Sequence, residues 1–209
     1  MAGMDATGYY RAPGIVMPRA TWFCVDIECS GPVPGLYDMV SLGAVPVLKE
    51  GGQFTIGDGF YVEIRPQAPR LDERAMAVNG LDIEQLRAEG VPLGDALRQL
   101  TAFVRSNCAA DSEPVFVGHN APFDWSFVSW SYHAEGQPNP FGYKALDTKA
   151  LATGVLGLHW FDSNKEMLDT LLNLPPVEGE KVHRADYDAW YQAHILVGLL
   201  NRLPERASS

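Results

Sequence analysis

The sequence predicts an α/β fold: a mixed β-sheet whose first three strands run antiparallel, flanked by helices. Three observations carry that prediction. Apolar runs separated by turn residues fill 21–64, helical apolar spacing dominates from residue 72 onward, and a further short apolar run at 114–118 interrupts the helices. At 209 residues and 46% apolar content, the chain can bury one substantial core. One domain over 20–205 is expected, after an irregular lead-in over 1–19 where Gly, Pro and small residues show no sustained periodicity.

The first strand spans 21–29 and ends against the turn pairs Gly31-Pro32 and Pro34-Gly35. A second apolar run covers 39–48, and Glu50-Gly51-Gly52-Gln53 turns the chain into a third strand, 54–64. After Pro66 the periodicity becomes helical. Residues 72–78 form a helix stopped at Asn79-Gly80, and Asp82 caps a short helix ending at Gly90. Leu93, Leu97, Leu100 and Val104 mark an amphipathic helix over 93–108. Pro114 to Gly118 reads as a short buried strand, followed by Asn120 as the cap of a helix with Pro122, Phe123 and Asp124 in its first turn. Further helices are expected over 147–153 and from a Ser163-x-x-Glu166 capping box through Leu172. Beyond the Pro175-Pro176 break, a last helix covers 186–203, with Ala189, Ala193, Val197 and Leu200 on one stripe.

Composition limits the function. A net charge of −10 argues against sequence-blind binding to a long duplex, which needs many Lys and Arg contacts to phosphate. Carboxylates that hold metal ions would contribute to that excess while presenting a neutralised site to a phosphate. The sequence has no apolar stretch near the roughly 20 residues that span a bilayer, and no basic-then-apolar start of a secretory signal. A soluble, cytoplasmic protein with no membrane partner is expected. Cys24, Cys29 and Cys108 are too few for a zinc motif or a disulfide framework, so reduced thiols are expected.

Asp26-Ile27-Glu28 closes the first strand. Residues i and i+2 of a strand share a face, so two carboxylates stand side by side at a strand end, and a divalent cation is the commoner reason to tolerate their repulsion. Two more acids lie at element ends: Asp124 at a helix start after a strand, and Asp188 near the start of the last helix. Four such carboxylates can hold two cations about 3.5 to 4 Å apart, the arrangement used in phosphodiester chemistry. His183, five residues before Asp188, is a candidate general base, since imidazole accepts a proton near neutral pH. Asp186 reads as a helix-start acid, and His119, His133, His159 and His194 as structural or surface residues.

Three ordered segments carry a family resemblance: Asp26-Ile27-Glu28-Cys29-Ser30-Gly31, His119-Asn120-Ala121-Pro122-Phe123-Asp124 and His183-Arg184-Ala185-Asp186-Tyr187-Asp188-Ala189. They resemble the exonuclease motifs of the DEDDh (DnaQ-like) superfamily, which includes polymerase proofreading subunits, ribonuclease T and oligoribonuclease. The resemblance covers roughly residues 22–200 and implies a ribonuclease-H-like sheet. It implies a 3'-5' exonuclease that removes nucleotides from single-stranded 3' ends of DNA or RNA with two divalent cations, Mg2+ or Mn2+. By the same resemblance Asp26 bridges both ions, Glu28 and Asp188 help hold the ion that carries the attacking water, Asp124 holds the second, and His183 deprotonates the water. Ile27, Cys29, Ser30, Gly31, Asn120 and Phe123 map onto substrate-contacting positions, although an aromatic such as Phe123 in a first helical turn is more often a core residue. A homodimer is a further implication. Two departures from the family pattern stand out: Cys29 where Thr is frequent, and Ser41 where Glu often follows the second strand. Two other functions fit the same residues, a phosphodiesterase of short oligonucleotides or nucleotides and a non-catalytic nucleic-acid-binding adaptor.

Overall fold

The structure, a computed structural model, describes residues 3–4, 10–11 and 19–203. The lead-in expected over 1–19 lies largely outside the described residues; within it, Gly3–Met4 pairs antiparallel with Tyr10–Arg11. Residues 204–205 of the expected domain also lie outside them.

The first long strand, β1 (Arg19–Cys29), is largely buried on both faces, its side chains alternating between them. Phe23, Val25, Ile27 and Cys29 face one side, whereas Trp22 and Cys24 pack on the other. It pairs antiparallel with β2 (Met39–Glu50). Gly51 and Gly52, at φ 55° and 88°, supply the left-handed turn that a two-residue hairpin needs, and β3 (Gln53–Ile56) returns along β2. The third strand expected over 54–64 is interrupted: β4 (Phe60–Glu63) pairs with β2 separately. Gly57, Asp58 and Gly59 have poor strand propensity, and the ladder opens there.

Three helices follow, α1 (Glu73–Asn79), α2 (Ile83–Glu89) and α3 (Leu93–Asn107). Asp72 and Asp82 cap the first two by accepting backbone N–H bonds from Arg74 and from Glu84 and Gln85. The chain then enters β5 (Ser112–Gly118), parallel to β1 on the side away from β2. After α4 (Pro122–Ala134) comes a strand that the sequence does not announce, β6 (Ala145–Asp147), parallel to β5. The sheet order is β3-β2-β1-β5-β6, with β4 beside β2. Three helices complete the described chain: α5 (Thr148–Leu156), α6 (Lys165–Leu172) and α7 (Ala185–Leu200).

Two expected caps are corrected. Asn164, not Ser163, caps α6 by accepting from the Met167 N–H, because the Ser163 hydroxyl is taken up by Thr153 and the His159 carbonyl. Asn120 does not cap α4. It adopts φ 65°, and its own N–H donates to Asp147.

Helices cover both faces of the sheet. Leu97, Leu100 and Val104 of α3 and Phe127 and Val128 of α4 pack on the face carrying Phe23, Val25 and Ile27. Ala189 and Ala193 of the predicted stripe, together with Leu196, pack on the opposite face against Cys24, Val45, Val47 and Val117, and Val197 and Leu200 border the same cluster only partly buried. Ala152, Leu168 and Leu172 join α5 and α6 to the outer side of α7. All three cysteines are free. Among the described residues no helix is long and apolar enough to cross a membrane.

The start of α7 comes unusually close to the sheet at Gly43, the residue paired with Asp26 across the β1–β2 ladder. A Cβ on Gly43 would stand 2.1 Å from the Ala185 carbonyl oxygen, a backbone atom that cannot rotate away. Gly43→Ala is therefore expected to push the start of α7 off the sheet at a cost of about 1–3 kcal/mol. Thermal unfolding checks this: a fall in Tm of roughly 2–10 °C is expected, and an unchanged Tm would contradict the close approach.

Candidate active site

Because β1 and β5 are parallel neighbours, their carboxyl ends open on one edge of the sheet, where α/β folds gather ligands. Asp26 and Glu28 leave β1 on the face that α7 covers, and Asp188 meets them from the first turn of α7. Asp124 arrives from the first turn of α4, which follows β5 directly after the left-handed residue Asn120. These four carboxylates and His183 line one cleft. Ile27, His119, Asn120, Phe123 and Lys165 complete its wall.

Three of the four carboxylates, Asp26, Asp124 and Asp188, are each held by specific donors. The buried Gln192 side chain donates to Asp26 Oδ1 at 2.6 Å, while its own oxygen accepts the His119 N–H at 3.2 Å. The Ile27 N–H donates to Asp124 Oδ1 at 3.2 Å. Asp188 is buried, with Oδ2 accepting the His183 N–H at 2.8 Å and Oδ1 paired to Lys165 Nζ at 2.6 Å. His183 sits at φ 65°, a conformation that costs a non-glycine residue free energy and persists when its surroundings impose it. Here the bond to Asp188 is part of what imposes it.

The charges are poorly compensated. Burial raises Asp26 well above the ordinary carboxylate range, and the charges of Asp124 and Asp188 raise it further. Burial, then Asp188 and Asp124, pushes Glu28 up to about 8. Burial pushes Asp124 up to about 7, against the Ile27 hydrogen bond, which lowers it. Burial disfavours the Lys165 ammonium, but Asp188, Asp26 and Asp124 together outweigh that effect and its pKa is raised. One ammonium faces four carboxylates. Burial, reinforced by the Lys165 charge, pushes His119 down to about 4, so this imidazole is neutral at pH 7 and shares a 3.0 Å contact with the Thr148 hydroxyl.

Such a set of hard oxygen donors with one imidazole suits a small divalent cation. Glu28, His183 and Asp188 each offer a ligand atom, and these atoms lie within 4.8 Å of one another. The residues fit the group: excess negative charge in a confined cleft is what such a cation would neutralise.

A pH dependence follows. Glu28 and Asp124 have folded-state pKa values raised above their unfolded ones, so the folded protein holds more protons across that interval. Their stabilising contribution is complete below about pH 4 and is lost as pH rises through 7 and 8. His119, lowered to about 4, works in the opposite direction only below its ordinary value of 6.5. Metal-free protein is therefore expected to lose thermal stability between pH 6.5 and 8.5, and Glu28→Gln to flatten that slope. A variant with the wild-type slope would contradict the assignment of Glu28.

Of the residues singled out by sequence, Asp26, Ile27, Glu28, Asn120, Phe123, Asp124, His183 and Asp188 line the cleft. Cys29, Ser30 and Gly31 do not. Cys29 lies on the opposite face of β1 and packs in the core with Phe23 and Val25. The fully buried Ser30 hydroxyl accepts the Asp38 N–H, and Gly31 lies against the Tyr37 ring. Asp186 turns away to pair with Arg184, as expected of a helix-start acid. Ser41 is buried directly opposite Glu28 on β2. Sequence reasoning missed Gln192, Lys165 and the placement of His119 in the cleft wall. Gln192 carries a usable signal, since it lies four residues after Asp188 and shares its helix face. Lys165 carries none, because α6 joins the cleft only through tertiary packing.

The family model described as a 3'-5' exoribonuclease Rv2179c-like domain matches residues 21–200. The 3'-5' DNA exonuclease Cap18 of Escherichia coli is 36% identical over 182 residues, covering 87% of this chain and 92% of that protein. Ribonuclease T of Marinobacter nauticus is 28% identical over 187 residues, covering 87% and 82%. The nuclease domain of 3'hExo, a DEDDh family member bound to rAMP, shares the fold with a TM-score of 0.72 at 12% identity, covering 87% of this chain and 92% of that one. Escherichia coli Exonuclease I in complex with a dT13 oligonucleotide does so with a TM-score of 0.63 at 17% identity, covering 87% and 41%.

Proposed function

Because this chain belongs to the Rv2179c-like 3'-5' exoribonuclease domain family and is a DEDDh 3'-5' exonuclease that acts on nucleic acids with divalent metal ions, we propose that it trims single-stranded 3' ends with two such ions. The observation that supports this reading best is the convergence of four mutually repelling carboxylates and one imidazole on a single cleft. In this reading Asp26, Glu28, Asp124 and Asp188 hold two cations, Mg2+ or Mn2+. When bound, the ions supply an acidified water and offset charge on the phosphodiester.

The chain's own groups do the rest. The His183 imidazole takes the proton of the attacking water. Water's oxygen bonds to phosphorus, the bond to the 3' oxygen of the preceding nucleotide breaks, that oxygen takes a proton from solvent, and a nucleoside 5'-monophosphate leaves. Gln192 fixes Asp26 and the His183 backbone fixes Asp188. The Lys165 ammonium pairs with Asp188 at 2.6 Å. Phe123, 37% exposed at the cleft, stacks on the terminal base, and Asn120 and the Ile27 backbone border the same space. A single strand suits the acidic chain because a narrow cleft grips few phosphates. The relatives' names include both DNA and RNA activities, and the shared 3'-terminal chemistry is the part carried over. The reading includes a cytoplasmic homodimer, for which light scattering should return twice the chain mass.

A panel of labelled DNA and RNA, as 30-mers, 3-mers and duplexes with Mn2+, tests it. Single-stranded 30-mers are expected to shorten from the 3' end faster than duplexes. Cleavage confined to 3-mers would instead indicate an oligonucleotide phosphodiesterase, and binding without cleavage an adaptor.

A further inference from the structure

Beyond the cleft, two aromatic rings lie at the surface outside the buried core, Phe161 tilted against the His159 ring at 5.6 Å. Trp160 and Phe161, 39% and 77% exposed, occupy a short 3-10 turn, Trp160–Asp162, between α5 and α6. Neither ring belongs to the three buried clusters. The turn is nevertheless fixed: the Ser163 hydroxyl contacts the Thr153 hydroxyl at 2.9 Å and donates to the His159 carbonyl at 3.2 Å. Lys149 extends over the Trp160 ring, 5.0 Å from its centre.

This surface continues from the cleft. Asp147 Oδ1 accepts both the N–H of the cleft residue Asn120 and the N–H of Lys149, each at 2.9 Å. Thr148, between them, touches His119 in the cleft wall. Local charge also departs from that of the whole chain. Between residues 143 and 162 two lysines (144 and 149) balance Asp147 and Asp162, whereas the chain as a whole carries −10. One oxygen of Asp147 is already occupied by backbone donors.

We propose that Lys149, Trp160 and Phe161 form a landing strip for single-stranded nucleic acid, stacking bases upstream of the nucleotide held in the cleft. Exposed aromatics that present a π-face beside a lysine bind any base sequence, because every base stacks and every linkage carries a phosphate. A free mononucleotide is too short to use the strip, and a duplex keeps its bases paired away from it. This assignment rests on the proposed 3'-end activity, and it deepens that reading by giving the strand a path out of the site.

The test compares wild type with Phe161→Ser, Lys149→Gln and the pair combined. Phe161 is exposed, so its replacement is expected to leave Tm unchanged. Anisotropy with a labelled single-stranded 30-mer reads binding whether or not cleavage occurs, and steady-state kinetics with Mn2+ read KM and kcat. The paired variant is expected to weaken binding and raise KM about tenfold, the size of losing one stacked base, with kcat within twofold. Affinity within twofold of wild type, or a loss confined to kcat, would overturn the strip. A wild type that binds the 30-mer without cutting it defeats the proposed activity, while the anisotropy comparison still decides the strip.

Discussion

Asp26→Asn is expected to reduce 3'-5' exonuclease activity by at least about 10²–10³-fold, the scale of losing one charge-stabilising group at a reaction centre, without destabilising the metal-free fold. The two halves of this result have one cause. The Asp26 charge is opposed by burial and by Asp124 and Asp188, so a neutral amide of the same shape relieves repulsion. The Asn oxygen can still accept the Gln192 donor that now bonds Asp26 at 2.6 Å. Wild type should gain thermal stability on adding Mn2+, because a ligand that binds only the folded state stabilises it, and Asp26→Asn should lose most of that gain. Differential scanning fluorimetry with and without Mn2+, beside a nuclease assay, separates the outcomes. A variant that keeps activity removes Asp26 from the site, and one that unfolds without metal makes its role structural.

His183→Ala should lower kcat by about 10²–10⁴-fold, the usual contribution of a positioned general base, while retaining the Mn2+-induced rise in Tm. The four carboxylates remain in this variant, and so does the backbone N–H of residue 183 that holds Asp188 at 2.8 Å. His183→Gly is the companion variant. It loses the same imidazole but adopts φ 65° without the steric cost that Ala bears there. Equal kinetic losses in the two variants would assign the effect to the imidazole. Recovery of activity in the glycine variant alone would assign it to backbone geometry instead.

Much of this site could be read from the chain because its elements obey short periodicities. Strand alternation places Asp26 and Glu28 on one face of β1, and the same alternation sends Cys29 to the other. The substrate contact expected at Cys29 followed motif adjacency where the period of two already pointed into the core. The choice of Asp188 over Asp186 is consistent with α7, where Asp188 is buried on the cleft and Asp186 pairs with Arg184. Other features depend on contacts between distant segments. β6 is three residues long and only partly buried, so it exists because β5 offers it an edge. Asn120 has the composition of a cap, but it is left-handed and its N–H donates to the distant Asp147. The Lys165–Asp188 pair joins residues 23 positions apart through the packing of α6 on α7, which no local pattern encodes.

A carboxylate cleft that holds divalent cations and shortens nucleic acid from its 3' end makes degradation depend wholly on metal. Chelator-treated wild-type protein, given a 5'-labelled single-stranded 30-mer, is expected to leave it intact. Adding back Mn2+ or Mg2+ is expected to produce a ladder descending one nucleotide at a time with release of 5'-monophosphates. Degradation that survives chelation, or an intact 30-mer after metal is restored, rules the cleft out as a divalent-cation nuclease site.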